Sequence, residues 1–148
     1  MPDREVTYVR KACAYVTRGD RELLVFEGPD EDRLQVPKGT VEPGESPREA
    51  LRREVAEESG LRALDDVSHL ATDVWPRRPS KRYVRHFYRV TVDDPRDRWT
   101  HEVTGDGAEA GSEFEYRWID LPTDREFALD LDEYLDRIGG APRRATRE

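Results

Sequence analysis

The chain predicts an α/β/α sandwich built on a mixed β-sheet, and three observations lead there. A series of short runs rich in β-branched and aromatic residues, separated by Gly, Pro and Asp, reads as strands. Ser46 to Gly60 carries a full set of helix boundaries. About Thr123 to Ile138, the apolar residues Phe127, Leu131, Leu135 and Ile138 recur at helical spacing. Strands enclosing helices place the sheet between two helical layers.

Tyr8 to Thr17 and Glu22 to Glu27 predict strands joined by the turn Arg18-Gly19-Asp20, and a short strand near Leu34 to Val36 leads into Pro37-Lys38-Gly39-Thr40. The helix follows, with Ser46 as N-cap, Pro47 at its first position, Glu49 closing a capping box and Gly60 as a left-handed stop. Further strands are expected over Val67 to Trp75, Arg82 to Val92 and Glu113 to Ile119, the first two parted by Pro76-Arg77-Arg78-Pro79-Ser80. Asp93 to Ser112, rich in Asp, Glu and Gly, is expected as a long loop, either an insertion or a gate over a substrate. His101 falls in that loop and His69 in a strand.

The length of 148 residues suits one domain over residues 1–148, with a core from about 6 to 138 and loose polar ends at Met1 to Glu5 and Gly139 to Glu148. With 25 basic and 33 acidic residues the formal net charge is -8, which favours solubility and disfavours binding to duplex nucleic acid. Cys13 is the sole cysteine, so no intrachain disulfide forms, and a reducing interior fits. No apolar run is long enough for a membrane span or a signal peptide, so a cytoplasmic protein, monomer or homodimer, is expected.

Within the helix, Glu54, Glu57 and Glu58 stand at i, i+3 and i+4, on one face. Like charges so placed repel unless a cation lies among them, and hard oxygen donors favour Mg²⁺ or Mn²⁺. Gly39, just upstream, lets backbone approach a metal or phosphate without an intervening side chain. An isolated Arg-Glu-x-x-Glu-Glu is more often a solvated helix face. Here the whole stretch from Gly39 to Leu61 decides: Gly39, five residues, Glu45, seven residues, Arg53-Glu54-Val55, one residue, Glu57-Glu58, one residue, Gly60-Leu61.

That pattern resembles the signature of the Nudix hydrolase family at every specified position. The resemblance implies the Nudix-type α/β/α fold and attack of a metal-activated water on a pyrophosphate. It implies metal binding by Glu54, Glu57 and Glu58, with the carbonyl of Gly39 as a further ligand. Arg53 would pair with a box glutamate and orient it, and Glu45 would stabilise the loop and helix. The general base differs among subfamilies; Glu54 and Glu57 are candidates, as are Glu113 and Glu115 outside the box.

Arg77, Arg78, Lys81, Arg82, Arg85, His86 and Arg89 form the one basic cluster in an acidic chain. Arginine suits two-pronged phosphate contacts, and Trp75, Tyr83, Phe87 or Tyr88 offers a ring on which a base can stack. Substrate contacts are therefore expected from Lys38, Arg78, Lys81, Arg82 and His86. Pro37-Lys38-Gly39 and Tyr116-Arg117-Trp118 also resemble elements of Nudix enzymes acting on dinucleoside polyphosphates. A nucleotide or dinucleoside polyphosphate ranks first as substrate. An RNA 5′-end pyrophosphohydrolase and a non-catalytic nucleotide-binding module are the alternatives, the latter opposed by the complete set of box glutamates.

Overall fold

β1 (Thr7–Arg18) is the strand about which the sheet is arranged in a computed structural model that describes residues 5–27, 33–105, 107 and 109–138. It runs parallel to β6 (Lys81–Thr91) in unbroken register from Thr7↔Lys81 to Thr17↔Thr91. β6 pairs on its outer side with antiparallel β5 (Asp65–Arg78). On the other side lie antiparallel β2 (Glu22–Glu27), β8 (Glu113–Asp120) and β7 (Arg98–Glu102), giving the order β5-β6-β1-β2-β8-β7. The sheet is mixed, as expected.

β1 and β2 pair only at Thr17↔Leu23 and Arg18↔Glu22, beside their connecting turn. Farther along, residues 34 to 40 provide partners for both: β3 (Leu34–Gln35) pairs with β2 and β4 (Lys38–Thr40) with β1. Gly39 is thereby placed opposite Ala12, a small residue on each strand where the helix comes close.

Strand alternation feeds two cores. On one face Ala12, Ala14 and Val16 of β1 and Leu24 and Phe26 of β2 meet Ala50, Leu51 and Val55 of α1 (Pro47–Ser59). On the other, Cys13, Tyr15, Leu23, Val25 and Phe87 meet Phe127, Leu131 and Ile138. The helix has the predicted caps: Glu49 N–H donates to Ser46 Oγ (3.1 Å), Ser46 N–H to Glu49 Oε1 (2.9 Å), and Gly60 adopts φ 84°.

Three expectations are corrected. The segment Thr123 to Ile138 forms two 3₁₀ turns, Ala128–Asp130 and Leu135–Arg137, rather than an α-helix. Its apolar residues are buried as the spacing implied, but Leu129 and Asp130 take φ 57° and 53°, which breaks a right-handed helix. The long loop from Asp93 contains β7, whose alternate residues Trp99 and His101 turn toward α1 and whose ladder pairs Arg98↔Arg117 through Glu102↔Glu113. β5 runs through Pro76-Arg77-Arg78, leaving Pro79-Ser80 as the hairpin turn. Of the loose ends expected at Met1 to Glu5 and Gly139 to Glu148, all but Glu5 lie outside the described residues.

A Cβ on Gly60 would stand 2.9 Å from Nδ1 of His101, in a left-handed backbone conformation. Gly60→Ala is expected to lower stability by about 1–2 kcal/mol. Urea denaturation of the two proteins checks this.

Candidate active site

A cavity of about 510 Å³ opens where β4, α1, β1, β6 and the β7–β8 connection meet. The helix face of Glu54, Glu57 and Glu58 lines it together with Arg53, and Lys38, Gly39 and Thr40 of β4 line it beside them. A Cβ on Gly39 would overlap the Glu54 carboxylate, which explains why glycine stands there.

Arg53 ties the wall together. It donates from Nε and Nη2 to the Glu45 carboxylate (2.7 and 3.0 Å), and from Nη1 to Glu54 (2.8 Å) and Glu57 (3.3 Å). Nη2 also reaches the carbonyl of Thr40 at 2.9 Å. These bonds hold Glu45 below the usual carboxylate range. Glu54 is pushed up by burial, against the pull of Arg53. Glu58, 4 % exposed, is pushed well up by burial, despite Lys38 and a bond from the Lys38 N–H at 3.2 Å.

The C-terminal end of α1 is held by the β7–β8 hairpin. Thr104 N–H (3.0 Å) and His101 Nε2 (3.1 Å) bond the Glu57 carbonyl, Tyr116 O–H the Glu58 carbonyl (3.0 Å), and Trp99 Nε1–H the Ser59 carbonyl (2.9 Å). Gly105 passes so near that a Cβ there would lie 2.6 Å from the Glu57 carboxylate. Tyr116 thus supports the helix, and Trp118 packs under Arg18 (4.6 Å) away from the cavity lining.

Opposite the carboxylates, the lining includes Lys11, Arg77, Tyr83, Arg85, Leu129 and Leu131. Arg78, Lys81, Arg82 and His86 are not part of it. Alternation along β6 accounts for Arg82 and His86, which face away from Tyr83 and Arg85, while Lys81 shares the Tyr83 face and lies over that ring at 5.9 Å. Arg82 instead donates to the carbonyls of Arg78 (3.3 Å) and Pro79 (2.8 Å). His86 Nδ1 meets Thr72 Oγ1 at 3.0 Å, its Nε2 is buried without a partner among the described residues, and burial lowers its pKa. Tyr83 lies between Trp75 (6.2 Å between rings) and the Lys11 ammonium (4.9 Å), so its ring is already flanked.

Sequence reasoning named Arg85 in the basic cluster but not among the expected contacts, and missed Lys11 and Glu109. Arg85 shares a face with Phe87, a signal present in the alternation. Glu109 lines the cavity from the β7–β8 connection and adds negative potential at Glu58. No local pattern marked it. Glu113 and Glu115 are exposed on β8 and lie outside the lining.

The donors available at the helix fit a hard divalent cation, being carboxylate and backbone oxygens. Among the described residues no three Asp, Glu, His or Cys side chains converge on an ion-sized point, because Glu54 and Glu57 turn to Arg53. No helix is long and apolar enough to cross a membrane among those residues.

The site is thus a mixed sheet carrying a carboxylate helix and a close glycine loop over a cavity. The NUDIX domain family matches residues 7–134, and the chain belongs to that family. An RNA pyrophosphohydrolase of Psychrobacter sp. (strain PRwf-1) is 38% identical over 69 residues, 46% of this chain and 40% of that protein. The chain therefore covers less than half of that relative. The fold is similar to a UDP-X diphosphatase (TM-score 0.65, 17% identity, 92% of this chain and 63% of that one). It is also similar to the Ap4A hydrolase of C. elegans (TM-score 0.55, 21% identity, 88% of each chain).

Two outcomes follow. Arg53→Lys keeps the charge but not the fork, and is expected to cost about 1–2 kcal/mol in denaturant unfolding. Glu58 has a folded pKa above its unfolded value, so the folded protein keeps a proton that the unfolded chain has lost, and stability falls as pH rises through that window. Without metal, Glu58→Gln should therefore stabilise the protein at about pH 8 and lose that advantage at about pH 4. Melting temperatures at both pH values test it; an equal gain at both would remove charge burial as the cause.

Proposed function

We propose that the protein hydrolyses a pyrophosphate bond in a nucleoside diphosphate-linked substrate, most plainly a nucleotide or dinucleoside polyphosphate. The observation that carries this is the cavity that brings three box carboxylates together with Lys11, Lys38 and Arg77. In this reading Glu54, Glu57, Glu58 and the Gly39 carbonyl would hold Mg²⁺ or Mn²⁺, which would supply a lowered water pKa and charge compensation at the leaving phosphate. The chain's own groups do the rest. Arg53 fixes the directions of Glu54 and Glu57, and Lys38 and Lys11 draw the phosphates in. A carboxylate of the lining, Glu57 or Glu109, would take the proton of the attacking water at an Oε.

A second reading, removal of pyrophosphate from a 5′-triphosphate RNA end, is favoured by the partial relative and by the β5–β6 hairpin. Arg77 reaches the cavity while Arg78, Lys81 and Arg82 extend from it at the hairpin end. Single-stranded RNA could run along that edge, guided by its phosphates.

Phosphate release with Mg²⁺ or Mn²⁺ is to be measured on nucleoside triphosphates, dinucleoside polyphosphates, nucleotide sugars and 5′-triphosphate RNA. Glu54→Gln and Glu58→Gln are each expected to cut kcat by about 100-fold or more while the fold persists. Full turnover in chelator, or in Glu58→Gln, would sink the assignment.

A further inference from the structure

The wall facing the box carboxylates is made by a turn whose sequence is poorly suited to its shape. Leu129 and Asp130 both occupy the left-handed region, at φ 57° and 53°, a conformation that glycine adopts without cost and leucine does not. The apolar spacing from Phe127 to Ile138 would have served a relaxed helix packed on the same core. Something outside the segment has to hold the turn in place.

The structure shows what does so. Arg85, 2 % exposed, grips Asp73 with two bonds (Nε 2.9 Å, Nη2 2.8 Å) and spends Nη1 on the carbonyl of Leu129 (2.7 Å). Trp75 Nε1–H donates to Asp130 Oδ2 at 3.0 Å, and Tyr15 O–H donates to the carbonyl of Leu131 at 2.6 Å. Tyr134 closes the set by donating to Asp73 Oδ2 at 2.8 Å. Burial works against the Asp73 carboxylate, yet Arg85 and Tyr134 outweigh it and hold the group ionised. Three sheet residues thus pin three successive positions of the turn, and Leu129 is presented to the cavity shared with Gly39 and Glu54.

We propose that Arg85, Asp73 and Trp75 are positioning residues that press the Leu129–Asp130 turn into the substrate cavity, making Leu129 the residue that limits the size of the group carried beyond the pyrophosphate. This rests on the hydrolase reading above. The clamp acts on substrate choice and leaves the chemical step, at the opposite wall, to the helix.

The test uses Leu129→Gly, which removes the side chain and suits the backbone, Leu129→Ala as a second truncation, and Trp75→Phe, which keeps a ring but frees Asp130. Melting curves confirm folding, and kcat and KM are measured with Mg²⁺ on ATP, ADP-ribose and diadenosine tetraphosphate. The ratio of kcat/KM between the largest and smallest compounds should change about tenfold in the truncations and move the same way in Trp75→Phe, through KM, with kcat within about twofold. Unchanged ratios, a uniform loss of kcat, or a shift confined to one site overturns the proposal. If wild type hydrolyses none of the three, the hydrolase reading fails by itself, and the same ratios are read from calorimetric dissociation constants. Binding of none overturns the clamp as well.

Discussion

The Arg53 guanidinium carries the electrostatic balance on which the rest of the site depends. Glu45, Glu54 and Glu57 would repel one another across a single helical turn and the loop before it, and one planar fork answers all three. Because the same group reaches the Thr40 carbonyl, it also fixes the loop that brings Gly39 against Glu54. Glu58 stands outside this arrangement, buried and held mainly by one backbone N–H. The four carboxylates therefore divide into three that Arg53 pairs with and one, Glu58, that it does not reach.

The far end of the helix is secured by a different device. The last carbonyls of a helix lack intrahelical partners and carry the negative end of its dipole, so donors there both satisfy and stabilise it. Trp99, His101 and Tyr116 supply three donors from rigid rings, and Thr104 a fourth from backbone. With Arg53 tying the middle of the helix to the preceding loop and these rings holding its last turn, the helix has little freedom to roll, and its carboxylates keep their aim at the cavity. The approach of His101 to Gly60 shows how little space the arrangement leaves.

How legible this was in the sequence depended on whether the information was local. Ser46, Glu49 and Gly60 specify the helix ends through bonds within four residues, and the structure repeats them. The Arg53 pairings follow from helical spacing plus a glutamate eight residues upstream. β7 was hidden because five residues of Arg-Trp-Thr-His-Glu bury only one face, and their partner, β8, lies across a connection of ten residues. The last segment misled for the opposite reason. Phe127, Leu131 and Ile138 have helical spacing and are buried, yet long-range bonds from Arg85, Trp75 and Tyr15 impose a bent path that no local propensity encodes. The same alternation that identified a strand at Arg82 to Val92 left open which face met the cavity, and Arg85 lies on that face.

Under the proposed function, an acidic protein that takes up a polyanion has to confine its attraction to one place. With a formal net charge of -8, most of the surface repels phosphates at long range. Lys11, Lys38 and Arg77 line the cavity together with the box glutamates, and a cation held by those carboxylates would make the acidic wall itself a phosphate-binding surface. Arg85 plays no direct part in this attraction, because its guanidinium is committed to Asp73 and Leu129. One arginine of β6 is thus spent on shape while the lysines of β1 and β4 supply charge, and the cavity gains a rigid wall without adding another mobile cation beside the carboxylates.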